Sequence, residues 1–111
     1  LQHLNESTLE EIVLDNNQLC EIGGVLFANV VKFSGNLKRA SLKNCGLNSN
    51  SLMCFSHALE TSKNIESLNI EDNNFDERSI FLMNKSLYKS NKTKVLITQK
   101  GSESKIFKRD A

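Results

Sequence analysis

Leu9, Leu37 and Ile65 open three stretches spaced 28 residues apart, and this interval constrains the fold more than any other feature of the chain. Aligned on it, residues 9–19 read LEEIVLDNNQL, 37–47 read LKRASLKNCGL and 65–75 read IESLNIEDNNF. The fourth place holds Ile12, Ala40 and Leu68, and the sixth holds Leu14, Leu42 and Ile70. Asn17, Cys45 and Asn73 take the ninth, and Leu19, Leu47 and Phe75 the eleventh. An interval kept without slippage implies a repeat architecture, in which each unit buries its apolar side only by stacking on its neighbours.

Side-chain directions give the pattern a physical meaning. Apolar residues at the fourth and sixth places predict a short strand with one face inward, and one strand per unit stacks parallel strands about 4.8 Å apart. Each parallel step needs a return path. Gly23, Phe27 and Val31, then Ser51, Phe55 and Leu59, then Ser79, Met83 and Leu87 recur at four-residue steps and predict a return helix in every unit. The small residue opening each set lets the helix approach the strand layer. Asn50 and Asp76 stand at expected helix N-caps. After the strand the backbone turns into the interior and loses water, so a side-chain amide at the ninth place is expected to satisfy it. Asn17 and Asn73 should therefore tolerate replacement poorly, with Cys45 as the small substitute in a structural row. Cys54 aligns with Leu26 and Leu82 and is expected to fill core space.

The pattern L-x-x-L-x-L-x-x-N/C-x-L resembles the leucine-rich repeat. A 28-residue period with a full return helix and a small residue four places after the last repeat leucine resembles its ribonuclease-inhibitor-like class. That resemblance implies an α/β solenoid, with a curved parallel sheet on the concave side and helices on the convex side, and an intracellular binding role. SLNIEDNNF at 67–75, with the helix and SNKT after it, is similar to the repeat domain of the tropomodulin family, which implies a cytoskeletal, actin or axonemal capping role. The likeness spans about one repeat, and that family's N-terminal tropomyosin- and actin-binding segments have no counterpart here.

The units are expected at 9–36, 37–64 and 65–92. Residues 1–8, LQHLNEST, read as the end of a preceding repeat helix, and an uncovered end layer calls for a cap, upstream or from a partner. KVLIT at 94–98, within a final segment 93–100, reads as a last strand; continuing the period unchanged points Leu96 and Thr98 inward, while shortening it by one points Val95 and Ile97 inward, the preferred register because it buries two aliphatic side chains. Residues 101–111, GSESKIFKRDA, read as a polar tail whose Ile106 and Phe107 fold back over the open end or hold a partner.

Composition narrows the function. With 111 residues and 39% hydrophobic content, one modest core is expected, as a single domain or a piece of a longer protein. A net charge of +1 gives no general pull toward nucleic acid or an acidic membrane. Apolar runs as short as VLFA exclude a spanning helix, and no signal peptide is expected ahead of the fold. Three cysteines with no C-x-x-C pair argue against a disulfide framework or a zinc site and fit reduced thiols in the cytoplasm. His3 and His57 have no matching nucleophile and carboxylate, and Gly23-Gly24 lacks the Lys-Ser/Thr of a phosphate loop, so no enzyme activity, catalytic residue, metal or cofactor is expected.

Partner binding is expected on the exposed strand places. The second place gives Glu10, Lys38 and Glu66, the fifth Val13, Ser41 and Asn69, and the seventh Asp15, Lys43 and Glu71. The sign alternates from strand to strand, which predicts opposite-charge ladders and a poor match for a phosphate track. The expected function is a protein-protein interaction module, a scaffold or adaptor within a larger protein or assembly. Its partner is another protein, cytoskeletal in one reading, with no nucleic acid, membrane or small-molecule substrate. A tropomodulin-like capping protein and a regulator of a small GTPase are the alternatives; delivery to a host by a pathogen is a third, which turns on the organism.

Overall fold

The computed structural model describes residues 9–62, 64–87, 94–99 and 105–108. Strands and helices alternate as β1 (Glu11–Val13), α1 (Cys20–Phe33), β2 (Arg39–Ser41), α2 (Ser49–Thr61), β3 (Ser67–Asn73), α3 (Glu77–Leu87) and β4 (Lys94–Gln99), followed by β5 (Lys105–Lys108). The sheet runs in chain order, with β1 to β4 parallel and β5 antiparallel to β4. The molecule is an α/β protein in which α1, α2 and α3 cover one side of a parallel sheet.

The register follows the repeat interval. Ile12 pairs with Ala40 and Ala40 with Leu68, each 28 residues on. At β4 the step shortens by one: Leu68 pairs with Val95 and Ile70 with Ile97, and both valine and isoleucine side chains are buried. Leu42, Leu47, Leu68, Ile70 and Phe75 close the core from the strand side, and Phe27, Leu52, Phe55, Leu59 and Met83 close it from the helices. Phe27 and Phe55 meet with ring centroids 6.5 Å apart, carrying the period into the helix layer.

Helix boundaries come from local polar groups. Asn48, not the expected Asn50, caps α2: its side chain accepts from the Ser51 N–H at 3.1 Å, while Ser51 Oγ accepts from the Asn48 N–H at 3.2 Å. This reciprocal box holds two donors that a helix start otherwise leaves orphaned. Asp76 holds the start of α3 through the Ser79 N–H, at 2.7 Å. Both α1 and α2 end on a buried serine, Ser34 and Ser62, in extended backbone. A Cβ on Gly23 would meet Leu19 Cβ of its own unit at 2.8 Å, and the close approach to the next unit falls on its neighbour. A Cβ on Gly24 would lie 2.7 Å from Leu47 Cδ2 and 2.8 Å from Ser51 Cβ, so α1 and the next unit touch where only hydrogen fits.

The expected polar tail contains a strand. Lys105–Lys108 pairs antiparallel with β4, setting Phe107 opposite Val95 and Ile106 opposite Leu96, so the C-terminal edge of the parallel sheet is covered. The helix end expected at 1–8 lies outside the described residues.

Candidate functional site

With the fourth and sixth places turned into the core, strict alternation turns the third, fifth and seventh places onto the open side of the sheet. The fifth-place column runs Val13, Ser41, Asn69 and continues to Leu96 on β4. Val13 is 60% exposed and the other three are half-buried. Asp15, Lys43 and Glu71, the seventh place, lie just past the paired residues of β1 and β2 and within β3.

The second-place residues Glu10, Lys38 and Glu66 precede the strands. The Glu10 carbonyl accepts from the N–H groups of Lys38 and Arg39, and the Lys38 carbonyl from those of Glu66 and Ser67, so this column forms the rim where each strand begins. The third-place column, Glu11, Arg39, Ser67 and Lys94, lies on the open face, and sequence reasoning passed it over. Stepping one residue to either side of the buried fourth and sixth places gives the third, fifth and seventh places and leaves out the second.

Each of the first three strands carries one sign: Glu10, Glu11 and Asp15 on the first, Lys38, Arg39 and Lys43 on the second, Glu66 and Glu71 on the third. The ladder expected from this alternation takes a different form. An ion pair joins Arg39 to Glu11 at 3.8 Å in the third column, and both side chains are well exposed, so it contributes at most about 1 kcal/mol. Asp15 instead serves the turn: Oδ1 accepts from Ser41 Oγ at 2.6 Å and from the Lys43 N–H at 2.9 Å.

Behind this face the ninth-place residues tie successive turns together. Asn73 is buried; its Oδ1 accepts from the N–H groups of Cys45 and Leu47 at 2.9 and 3.0 Å. Its Nδ2 donates to the carbonyls of Leu42, Ile70 and Glu71. Cys45 copies the donor half of this pattern, its thiol reaching the Leu14 carbonyl at 3.1 Å and the Lys43 carbonyl at 3.4 Å. Burial pushes the Cys45 thiol above its ordinary range, which keeps the proton on sulfur as that role requires. Asn17 departs from the expectation. It is exposed and, among the described residues, donates only to the nearby carbonyls of Leu14 and Asp15.

Other polar clusters are accounted for by structure. A surface cleft of about 420 Å³ between the starts of α2 and α3 is lined by Asn48, Ser49, Asn50, Asn74, Phe75 and Asp76. Several of its polar groups are already engaged: Asn48 and Asp76 cap helices, and Ser49 Oγ accepts from the Asp76 N–H. Nearby, Glu21 accepts from the Asn48 and Asn50 side chains, which lower its carboxyl below the usual range. On the helix side, Cys54 is half-buried against the core, its counterpart Leu26 is 49% exposed, and Cys20 is exposed at the start of α1. Among the described residues no group of three or more His, Cys, Asp or Glu could hold a metal ion, and no helix is long and apolar enough to cross a membrane.

The sequence matches no protein-family profile and no curated protein. Solved structures do match the fold. Actin-binding site 2 of leiomodin-1 superposes with a TM-score of 0.82 over 91% of this chain and 61% of its own, at 19% identity. The tropomodulin C-terminal domain of Caenorhabditis elegans gives 0.76 over 88% of this chain and 60% of its own, at 18% identity. The chain thus spans about three fifths of the length of each. At these identities the likeness is one of fold, and that fold is the tropomodulin-type arrangement of strands and return helices.

Proposed function

We propose that this chain is a protein-interaction module, a leucine-rich-repeat solenoid of the ribonuclease-inhibitor-like class, that docks its partner on the open side of the sheet. The observation that carries the reading is the position of the helices. All three lie on one side of the sheet, leaving Val13, Ser41 and Asn69 as an uncharged centre flanked by Glu11, Arg39, Asp15, Lys43 and Glu71. A face striped with both signs suits a protein surface of matching pattern and opposes a uniform polyanion. The rim residues Glu10, Lys38 and Glu66 extend the surface at one end.

Actin is the first partner to test, since the superposition with actin-binding site 2 of leiomodin-1 covers nine tenths of the chain. On this second reading the protein is a cytoplasmic component of the cytoskeleton. The experiment is co-sedimentation with filamentous actin and a pointed-end elongation assay, using the wild-type chain, Asn69→Arg on the open face and Phe81→Glu on the helix side. Binding that Asn69→Arg weakens at least tenfold and Phe81→Glu leaves intact supports both parts. No binding to actin refutes the cytoskeletal reading; partners captured by affinity purification and unaffected by Asn69→Arg refute the docking face.

A further inference from the structure

On the open side of the sheet charge is sorted by strand, and this order narrows what the docking surface can hold. The first strand is bordered by Glu10, Glu11 and Asp15, the second by Lys38, Arg39 and Lys43, the third by Glu66 and Glu71, and the fourth begins with Lys94. Each strand shows one sign, and the sign reverses at every step of about 4.8 Å.

Little of this charge is used within the molecule. Arg39 and Glu11 pair at 3.8 Å with both side chains well exposed, and Asp15 spends Oδ1 on Ser41 Oγ and the Lys43 N–H. Glu10, Lys38, Lys43, Glu66 and Lys94 form no ion pair among the described residues. Between the charged flanks runs the uncharged fifth-place column, Val13, Ser41, Asn69 and Leu96, apolar at both ends. Asn69 accepts from the Glu71 N–H at 3.2 Å, which occupies its Oδ1 and not its Nδ2.

Spacing selects the shape of the partner. The third and seventh places are four residues apart along a strand, about 13 Å, and a helix with its side chains is about 10 to 12 Å across, so a helix laid over the fifth places fits between the flanks. Three helical turns cover about 16 Å and three strand steps about 14 Å, a difference that a modest tilt absorbs. An extended segment repeats its side-chain direction about every 6.6 Å, covers about 20 Å in three repeats and falls a full strand out of register.

Resting on the docking surface already proposed, we infer that this face receives an α-helix of a partner protein, laid across the strands, whose charge reverses once per turn. Its basic turns lie over β1 and β3, its acidic turns over β2 and β4, and apolar residues of its first and last turns sit on Val13 and Leu96. In this register it meets opposite charge on every strand; shifted by one strand it meets like charge on every strand, so the face sets register as well as affinity.

The test uses two peptides of identical composition, each held helical by a side-chain crosslink because short free helices are marginal in water. One reverses sign every turn, from a basic first turn; the other carries its lysines in the first half and its glutamates in the second. Binding to the 111-residue chain is read by fluorescence anisotropy and by amide chemical shifts. The turn-alternating peptide should bind at least tenfold tighter than the block peptide and shift the amides of Val13, Ser41 and Asn69. Lys43→Glu should weaken it at least tenfold, and changing the peptide's second, acidic turn to lysine should recover most of that loss. Because Lys43→Glu also lowers stability, Lys38→Glu repeats the comparison at the rim. Equal affinity for the two peptides, binding of neither, or a loss without recovery in both variants overturns the helix. If the chain then still binds a protein in a manner sensitive to Asn69→Arg, the docking surface stands without it. Peptide shifts confined to α1, α2 and α3 overturn both.

Discussion

Asn73→Ala should be among the most destabilising single substitutions on the strand side, and the structure gives its size. The alanine removes the acceptor of two N–H groups, Cys45 and Leu47, for which no other acceptor exists among the described residues. Both lie in the turn of the unit before Asn73, and Cys45, Leu47 and Asn73 are all at most 1% exposed, so water does not replace the lost amide without opening the core. At about 1 to 3 kcal/mol for each buried group left unpaired, the loss is about 2 to 6 kcal/mol. A domain of this size holds only about 5 to 15 kcal/mol in total, so the variant sits close to unfolding. The control is Asn17→Ala. Its two bonds go to neighbouring carbonyls at an exposed site, and its loss should stay under about 1.5 kcal/mol. Urea unfolding followed by far-ultraviolet circular dichroism measures both. Equal losses at the two positions would show that the asparagine amide is not what holds the turns together.

Further outcomes follow from the same contacts. Leu42→Ala, at a side chain with no exposed surface, should cost about 2 to 5 kcal/mol in the same melts, and a markedly smaller loss would remove Leu42 from the core. Gly24→Ala should destabilise even though alanine favours a helix by about 1 kcal/mol over glycine, because its methyl would press on Leu47 and on the Ser51 Cβ, an overpacking cost of about 1 to 3 kcal/mol; a stabilised variant would show that the helices can part. Lys43→Glu places a third acid between Asp15 and Glu71 and should lower the melting temperature in low salt, an effect that high salt should shrink. Because the folded state raises the Cys45 thiol above 9.0, the unfolded chain ionises first as pH rises. Stability from this site should therefore hold below about pH 9 and fall above it, and Cys45→Ser should flatten that alkaline limb. In native protein a thiol reagent should label exposed Cys20 rapidly and Cys45 only on unfolding, as peptide mapping would show.

What could be read from the chain and what could not divide along the line between local and neighbour-dependent physics. The inward places of the strands, Ala40, Leu42, Leu68 and Ile70, and the helix positions Phe27, Phe55 and Met83 are legible because apolar periodicity is local and the 28-residue interval fixes which side chains become neighbours. The shortened step at β4 was also accessible, since it alone buries Val95 and Ile97 together. The cap of α2 was misplaced by two residues because N-S-N-S offers several candidate caps in succession, and the deciding feature is reciprocity: Ser51 stands three places after Asn48 and returns its bond. β5 escaped notice because four residues, K-I-F-K, become a strand only through β4, some ten residues earlier.

The ninth place shows the limit most sharply. Residues 17 and 73 carry the same letter within aligned sequences, D-N-N-Q-L at 15–19 and E-D-N-N-F at 71–75, yet one amide is exposed and the other is buried with five hydrogen bonds. The residue type is the same; what differs is that the turn of the second unit stands in front of Asn73, whereas among the described residues no turn stands in front of Asn17. In a stacked protein the type of a residue is therefore a statement about the neighbour it is built to meet, and its burial a statement about whether that neighbour is present. The same reasoning separates the two faces of this molecule. Polar residues at the third, fifth and seventh places lie on the side of the sheet that the described helices leave uncovered, where the proposed docking surface is placed. At the β1 end, Ile22 and Leu26 are exposed apolar residues where the second unit has Asn50 and Cys54, so the two units differ in the helix face they turn away from the sheet's β4 edge.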